Sequence, residues 1–273
     1  MKQNTLKIVS KKRLFSRLQG EHKSLFGGSG VEFLELREYS VFDNASHINW
    51  KRSLDVNAPL VNIFSDDREL NIVVVYLASG SLEFKSKKEV ARDVASTLCL
   101  SATYFKERLS FLIFSNKEEL YLSNLRGLDS YDISYDTLSF IKHLGKEIDY
   151  SRLCDFLNAQ LKERSLIFLV GDFLDSSINL AKLAFAHEVY AIVIRDKKEE
   201  SISAVGEGEF KDPVTLKVKR LFIGKSAAKN YNMAFKKQDS KMFKNFDSLG
   251  IRYLKVYKSS SIYMQLKELL DAR

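Results

Sequence analysis

Polar side chains that could act together follow two of the most apolar stretches of this sequence. Ser79 and Ser81 come just after the first stretch, and Asp172 and Asp175 come just after the third. Hydroxyl and carboxylate oxygens are the ligands that Mg²⁺ prefers in proteins. The four side chains would therefore form an oxygen-ligand site if they met. Alternatively, the two serines simply cap the helix that follows them.

Five apolar stretches have the length and composition of β-strands, and four of them are mostly apolar rather than alternating, as strands buried on both faces are. They are residues 70–77, 109–114, 166–170, 189–194 and 251–257. The last mixes apolar residues with Arg and Lys, which is typical of a strand at the edge of a sheet. Apolar residues recur at helical spacing between and after them, in 87–106, 150–163, 177–187 and 226–249. The alternation predicts an α/β fold with a mostly parallel sheet and helices on both faces.

The predicted sheet brings the polar segments together. In an open parallel sheet, ligands bind beyond the carboxyl ends of the strands. Both segments follow such ends, so we expect them at the same edge of the sheet. That edge is the candidate site for a metal or for a partner.

The length of 273 residues is enough for a core that needs no disulfide or metal. Residues 1–24 are predicted to form a basic N-terminal arm. Residues 25–69, which mix aromatic, charged and turn residues, are predicted to form a β-rich flap packed on the main domain. Residues 70–273 would form the α/β domain.

The positive charge is concentrated at two places. The net charge is +8, but residues 1–24 carry +6 and residues 211–258 carry +10. Such asymmetry can indicate nucleic-acid, anionic-lipid or acidic-protein partners. The alternative is a solvated, lysine-rich surface, which the core-like spacing of the nearby aromatic residues favours.

Several classes of protein are disfavoured by the sequence. No stretch approaches the ~20 apolar residues that a membrane span needs, and the basic N-terminus lacks the apolar region of a secretory signal. Two cysteines, Cys99 and Cys154, cannot form a disulfide framework or a four-ligand zinc site, so we expect a reduced, cytoplasmic protein. Residues 224–226 match the last residues of the phosphate-binding-loop motif, but Lys219 stands where that motif requires its first Gly. Neither a G-x-S-x-G motif nor a His-Glu-x-x-His motif is present, so no enzyme class is indicated.

The two loops resemble the metal-ion-dependent adhesion site of von Willebrand factor A domains. That site uses Asp-x-Ser-x-Ser after the first strand, Thr from a second loop and Asp from a third. Ser79, Ser81 and Asp172 match it, but Leu77 and Ile148 stand where the first Asp and the Thr belong. The resemblance implies a degenerate site that binds Mg²⁺ weakly or not at all and whose surroundings bind a protein. A Mg²⁺-dependent hydrolase at this edge is the less favoured alternative.

A longer resemblance covers most of residues 20–256. The segment 29–53 resembles the signature of the bacterial domain-of-unknown-function 58 (DUF58) family, although Phe42, Asn44 and Asn49 depart from it. The matching residues singled out here are Glu32, Phe33, Arg37, Tyr39, Asp43, Trp50 and Lys51. Their charges and aromatic rings could form a half-buried ion-pair network that fixes the flap. Alternatively, Arg37 and Trp50 belong to a partner-binding hot spot.

The family resemblance implies a von Willebrand factor A-like domain. Members are commonly paired with a MoxR-type AAA+ ATPase and are thought to help mature or assemble other proteins. We therefore expect a non-enzymatic, cytoplasmic interaction module without a required cofactor. Its partner-binding residues would be Ser79, Ser81, Asp172 and Asp175. The alternative is a nucleic-acid- or anionic-surface-binding protein that uses its basic ends.

Overall fold

The chain divides into two compact units in this computed structural model. One is Phe15–Glu69, and the other is Met1–Leu14 together with Leu70–Arg273. The structure describes residues 32–40, 43, 45–56, 58–65, 70–104, 106–127, 129–175, 177–259, 262, 265, 266 and 269. The predicted arm, residues 1–24, lies outside the described residues.

Among its described residues, the smaller unit contains a two-stranded antiparallel sheet, a 3-10 turn at Ala45–His47 and a short α-helix. Strand β1 (Glu32–Glu38) pairs with β2 (Leu60–Ser65), and helix α1 (Trp50–Val56) lies between them in sequence. The hydroxyl of Ser53 accepts a hydrogen bond from the amide of Leu60 at 2.8 Å, which fastens α1 to β2. The described part of the predicted flap holds two strands and also a helix that the sequence pattern did not indicate.

The larger unit is built on a six-stranded sheet. Its strands are β3 (Asn71–Leu77), β4 (Arg108–Phe114), β5 (Glu118–Leu125), β6 (Leu166–Gly171), β7 (Glu188–Ile194) and β10 (Arg252–Val256). The α-helices of this unit whose bounds lie within the described residues are α2 (Lys87–Tyr104), α3 (Ser130–Ser139), α4 (Tyr150–Gln160), α5 (Ala181–Ala186), α6 (Lys197–Glu200) and α7 (Lys225–Ser248). A separate hairpin, β8 (Gly206–Lys211) with β9 (Val218–Ile223), lies between α6 and α7 in sequence.

The strand order is β10-β7-β6-β3-β4-β5, and only the pairing of β5 with β4 is antiparallel. The predicted mostly parallel sheet is confirmed, and so is the edge position of the last strand. Strand β3 lies between β4, which follows it, and β6, which comes later. The strand order thus reverses at β3, and doubly wound sheets bind their ligands at such a switch point.

Helices cover both faces of this sheet because successive side chains of each strand point to opposite faces. Val73, Val75 and Leu77 of β3 share one core with Leu153 of α4 and Phe246 of α7. Helix α2 contacts β3, β4 and β6. Because residues 72–77 of β3 are buried on both faces, this part of the strand is apolar without interruption.

The remaining differences from the predicted elements lie away from the core strands. Strand β5, helix α3 and the β8–β9 hairpin were not predicted. Helix α5 begins at Ala181 rather than 177, because the side chain of Asn179 accepts a hydrogen bond from the amide of Ala181 and holds the preceding residues in a turn. In the part of the chain that the structure describes, no helix is both long enough and apolar enough to cross a membrane.

Candidate functional site

The polar segments after β3 and β6 meet at one edge of the sheet, because the two strands are parallel neighbours. The hydroxyl of Ser79 donates a hydrogen bond to Oδ1 of Asp172 at 3.0 Å. The hydroxyl oxygens of Ser79 and Ser81 are 2.9 Å apart. Ser79 precedes a 3-10 turn, but its side chain makes no capping bond, so the capping interpretation is wrong for this residue. Its hydroxyl is directed to Asp172 instead.

Two glycines allow the loops to approach each other. The amide of Gly80 donates to the carbonyl of Lys146 at 2.8 Å, and a Cβ on Gly80 would collide with the carbonyl of Pro213 in the β8–β9 turn. A Cβ on Gly171 would lie 2.8 Å from the Cβ of Leu77. Any larger residue at these two positions would separate the segments that build the site.

A buried lysine occupies the centre of this edge. Nζ of Lys87 lies 2.8 Å from Oδ2 of Asp172 and 2.7 Å from Oε1 of Glu199, and the Lys87 side chain is only 1% exposed. Sequence reasoning missed Lys87, although a signal was present. It stands three and four residues before Val90 and Ala91, on the apolar stripe of α2, where a charged residue must be paired.

The ammonium of Lys87 sets the charge state of its neighbours. Burial by itself would raise the pKa of Asp172, but the charge and hydrogen bond of Lys87 hold that pKa below its ordinary value. Burial raises the pKa of Glu199, and the same ammonium offsets only part of that rise. Asp172 is therefore an ionised carboxylate at neutral pH, although it is 1% exposed.

A second group of charges continues from Asp172 along the same edge. Arg195, at the end of β7, donates one hydrogen bond to the backbone carbonyl of Asp172 and another to Oδ1 of Asp239 at 2.7 Å. Nζ of Lys255 lies 2.7 Å from both Asp239 and Glu200. Arg195 is 2% exposed. Buried charges must be paired, so this group fixes β7, α6, α7 and β10 relative to one another.

Asp175 joins the site through an aromatic partner. The hydroxyl of Tyr150, at the start of α4, donates to Oδ2 of Asp175 at 3.1 Å. Burial and the negative charge of Asp172 raise the pKa of Asp175 to about 6. Its carboxyl group therefore titrates near neutral pH, unlike that of Asp172.

The residues at this edge do not fit a metal ion of the adhesion-site kind. Leu77 and Ile148 are 1% and 4% exposed, and both side chains belong to the core. Divalent cations need several oxygen ligands at about 2.0–2.6 Å, whereas the ammonium of Lys87 already touches the carboxylate that such an ion would use. Within the described ranges, no group of three or more His, Cys, Asp or Glu residues is arranged to hold a metal.

Among the described residues of this edge, no histidine is hydrogen-bonded to the hydroxyl of Ser79. The imidazole of His143 bonds the hydroxyl of Tyr76 at 2.9 Å and Glu83 at 3.2 Å, not Ser79. Tyr76 is fully buried, so it cannot touch a substrate. The hydroxyl of Ser79 is 2% exposed and donates to Asp172, so its contacts hold this edge in shape.

The signature residues lie in the smaller unit. Arg37 pairs with Asp43 at 2.7 Å, with 45% and 17% of their side chains exposed. A hydrogen bond from the amide of Ser40 lowers the pKa of Asp43. Tyr39 is half-buried and Lys51 is exposed, and the side chains of Glu32 and Phe33 lie outside what the structure describes. Trp50 is 67% exposed, so it does not cover the ion pair and is available as a contact residue.

The basic segment 211–258 forms β9, α7 and β10. On α7, Lys236, Lys237, Lys241 and Lys244 are all exposed. Three of them, at positions 237, 241 and 244, share one face of the helix. Their placement relative to the predicted arm falls outside the described residues.

Comparison with known proteins gives one family and several relatives. The family described as "Protein of unknown function DUF58" matches residues 35–241. An uncharacterized protein of Mycobacterium tuberculosis is 27% identical over 218 residues, which cover 76% of this chain and 68% of that protein. Among solved structures, the conserved hypothetical protein BatB from Bacteroides thetaiotaomicron matches with 11% identity and a TM-score of 0.45, over 74% of this chain and 97% of that one. A von Willebrand factor type A protein from Catenulispora acidiphila matches with 13% identity and a TM-score of 0.43, over 77% and 43% of the two chains.

Proposed function

Because the chain belongs to the DUF58 family, as its signature residues predicted, we propose that it is a non-enzymatic protein-interaction module. It would act as adaptor or partner of a MoxR-type AAA+ ATPase in the maturation or assembly of other proteins. The proposal places it in the cytoplasm, where such an ATPase finds its ATP. Its docking surface is the edge of the sheet around Ser79, Ser81, Asp172 and Asp175.

The observation that supports this proposal is a set of exposed apolar side chains on the segments that meet at the edge. Phe84 is 39% exposed, Leu144 51% and Leu216 45%. These three segments are joined by backbone hydrogen bonds, from Gly80 to Lys146 and from residue 145 to residue 213. Exposed apolar side chains on a rigid frame are a common feature of protein interfaces. We call Phe84, Leu144 and Leu216 the rim residues.

The buried residues of the site would act indirectly. Ser79 is 2% exposed and Asp172 1%, so neither reaches a partner unless the edge rearranges. Ser81 and Asp175 are partly exposed. We therefore propose that Ser79 and Asp172 hold the rim residues in place, whereas Ser81 and Asp175 contact the partner directly.

The charge around the rim residues suggests the character of the partner. Lys85, next to Phe84, is exposed and lies 3.7 Å from Asp196. Lys197 and Lys198, at the start of α6, are also exposed. A partner surface with apolar side chains and acidic neighbours would complement this edge.

The test uses the tagged chain as bait in a lysate of its own organism with ATP and Mg²⁺, read by mass spectrometry. Phe84→Asp changes the rim, and Phe185→Asp is the matched control because Phe185 is 94% exposed on α5. We expect an AAA+ ATPase with the wild type and the control, and at least about tenfold less with Phe84→Asp, since loss of one hot-spot contact costs over ~1.4 kcal/mol. Equal recovery by both variants, or absence of any AAA+ ATPase, would refute the proposal.

The exposed lysines of α7 are the observation that favours a second function, binding of nucleic acid or an anionic surface. A parallel sample treated with nuclease decides between the two. Ribosomal or DNA-bound proteins that disappear with nuclease would favour the second function, particularly if their binding falls steeply with salt. An ATPase that is recovered in both samples favours the first.

A further inference from the structure

We propose that the ammonium group of Lys87 takes the place of the divalent cation of an adhesion site, so that this edge is organised without any metal. The inference rests on the contacts of one side chain with its neighbours. It goes beyond the proposed function, because it concerns how the edge is built and not what binds to it.

The ammonium lies among the oxygen atoms that would otherwise hold a cation. It contacts Asp172 at 2.8 Å and Glu199 at 2.7 Å. The other oxygen of Asp172 accepts from Ser79, whose hydroxyl lies 2.9 Å from that of Ser81. Two carboxylates thus contact the ammonium of Lys87, and two hydroxyls lie next to one of these carboxylates. A protein without metal needs such a charge here, because two buried carboxylates repel each other.

A metal and this ammonium cannot be present together. A cation bound to Asp172 at about 2.0–2.6 Å would overlap or repel an ammonium that lies 2.8 Å from the same carboxylate. Lys87 cannot simply move away, since it is 1% exposed and begins helix α2 in the core. Its displacement would leave a buried carboxylate without its partner, which is strongly unfavourable.

The ammonium also differs from a metal in what it offers a partner. A bound Mg²⁺ keeps water ligands that an incoming oxygen can replace. Lys87 donates to two carboxylates of its own chain and has almost no contact with solvent. A partner therefore cannot be recognised through an open position on this cation, and recognition depends on the exposed surface around it.

Removal of the lysine should convert the edge into a metal site. Lys87→Ala leaves a space lined by Asp172, Glu199 and the hydroxyl of Ser79. One oxygen of Glu199, Oε2, is buried with no hydrogen-bond partner among the described residues, so it is available as a ligand. Two carboxylates with a nearby hydroxyl form an oxygen set of the kind that Mg²⁺ and Mn²⁺ use.

The experiment measures thermal unfolding of the purified full chain in EDTA and in millimolar Mg²⁺ or Mn²⁺. The melting temperature of the wild type should be the same in all three solutions. The melting temperature of the control Lys85→Ala, which changes the exposed neighbouring lysine, should also not depend on the solution. Lys87→Ala should melt lower in EDTA and rise by about 5 °C or more when the metal is about 100 times its Kd. Loss of the six-line electron paramagnetic resonance signal of free Mn²⁺ should show binding by this variant alone.

Two results would overturn the inference. One is a metal-dependent rise of several degrees in the wild type. The other is a Lys87→Ala variant that binds no Mn²⁺. If that variant is unfolded in EDTA, its far-ultraviolet circular dichroism should return with Mn²⁺, and a chain that stays unfolded counts against the inference. None of these readouts uses a partner, so failure of the ATPase to bind would leave them unaffected.

Discussion

Replacement of Asp175 by Asn tests whether burial beside Asp172 disfavours the ionised form of Asp175. The hydroxyl of Tyr150 donates to Oδ2 of Asp175 at 3.1 Å. Asn keeps a carbonyl oxygen that can accept this bond, but it cannot ionise. The substitution therefore removes the charge and preserves the shape and the hydrogen bond.

The size of the effect follows from the pKa of Asp175, which is about 6 in the folded protein against an ordinary value of 3.8. A shift of about 2 units corresponds to about 3 kcal/mol. Because the folded pKa is raised, the contribution of this carboxyl to stability is fully present below pH 3.8 and is lost as the pH rises through 6. We therefore expect Asp175→Asn to be up to about 3 kcal/mol more stable than the wild type at pH 7, and similar to it at pH 4.

The assay is urea unfolding of both proteins at intervals from pH 4 to pH 8, with the difference in unfolding free energy plotted against pH. Taking the difference cancels the titration of all groups that the two proteins share. Asp136→Asn, at an exposed position on α3, is the control and should change stability by less than about 0.5 kcal/mol. A difference between Asp175→Asn and the wild type that does not vary with pH, or a wild type that is the more stable protein at pH 7, would refute the reasoning.

Three further predictions concern packing and reactivity. Phe246→Ala should lower the unfolding free energy by about 3–5 kcal/mol, because Phe246 is fully buried. Phe185→Ala, at a 94% exposed ring, should change it by less than about 0.5 kcal/mol. Equal effects of the two substitutions in urea unfolding would contradict the placement of Phe246 in the core. Gly80→Ala should lower the unfolding free energy by about 1–3 kcal/mol, since the added methyl group collides with the carbonyl of Pro213 in the β8–β9 turn. An unchanged unfolding midpoint in urea would show that this turn does not lie against Gly80. Cys99 and Cys154 are buried, and burial raises their pKa values to about 12 and about 11. A thiol reagent should therefore modify neither cysteine in the native protein and both after unfolding. Rapid modification of the native protein would contradict the burial of these thiols.

The sequence was most informative where burial is complete. The central strands are covered on both faces, so all but their first residues are apolar and the strands could be recognised. The meeting of Ser79 with Asp172 followed from the parallel order of β3 and β6. Strand β5 was missed because it is a half-exposed edge strand whose polar residues give no strong pattern, and the β8–β9 hairpin was missed because it is mostly exposed and contains two glycines.

The charged residues of the site could not be predicted in the same way. Lys and Arg are usually exposed, so Lys87 and Arg195 were not predicted as site residues, although both are almost fully buried. Their carboxylate partners Glu199 and Asp239 lie 112 and 44 residues away in sequence, and only the folded sheet brings the pairs together. A charged residue at an apolar position is the local signal for such a pair. It does not identify the partner.

These buried pairs explain how the edge can keep its geometry without two of the ligands of an adhesion site. Leu77 packs against Gly171 within the core, so its side chain belongs to the hydrophobic interior. The positive charge that pairs with Asp172 comes from Lys87, the first residue of α2. Arg195 adds a bond to the backbone of the same aspartate. Under the proposed function, an edge held by Lys87 and Arg195 would bind its partner without a supply of metal, because both charges belong to the chain itself.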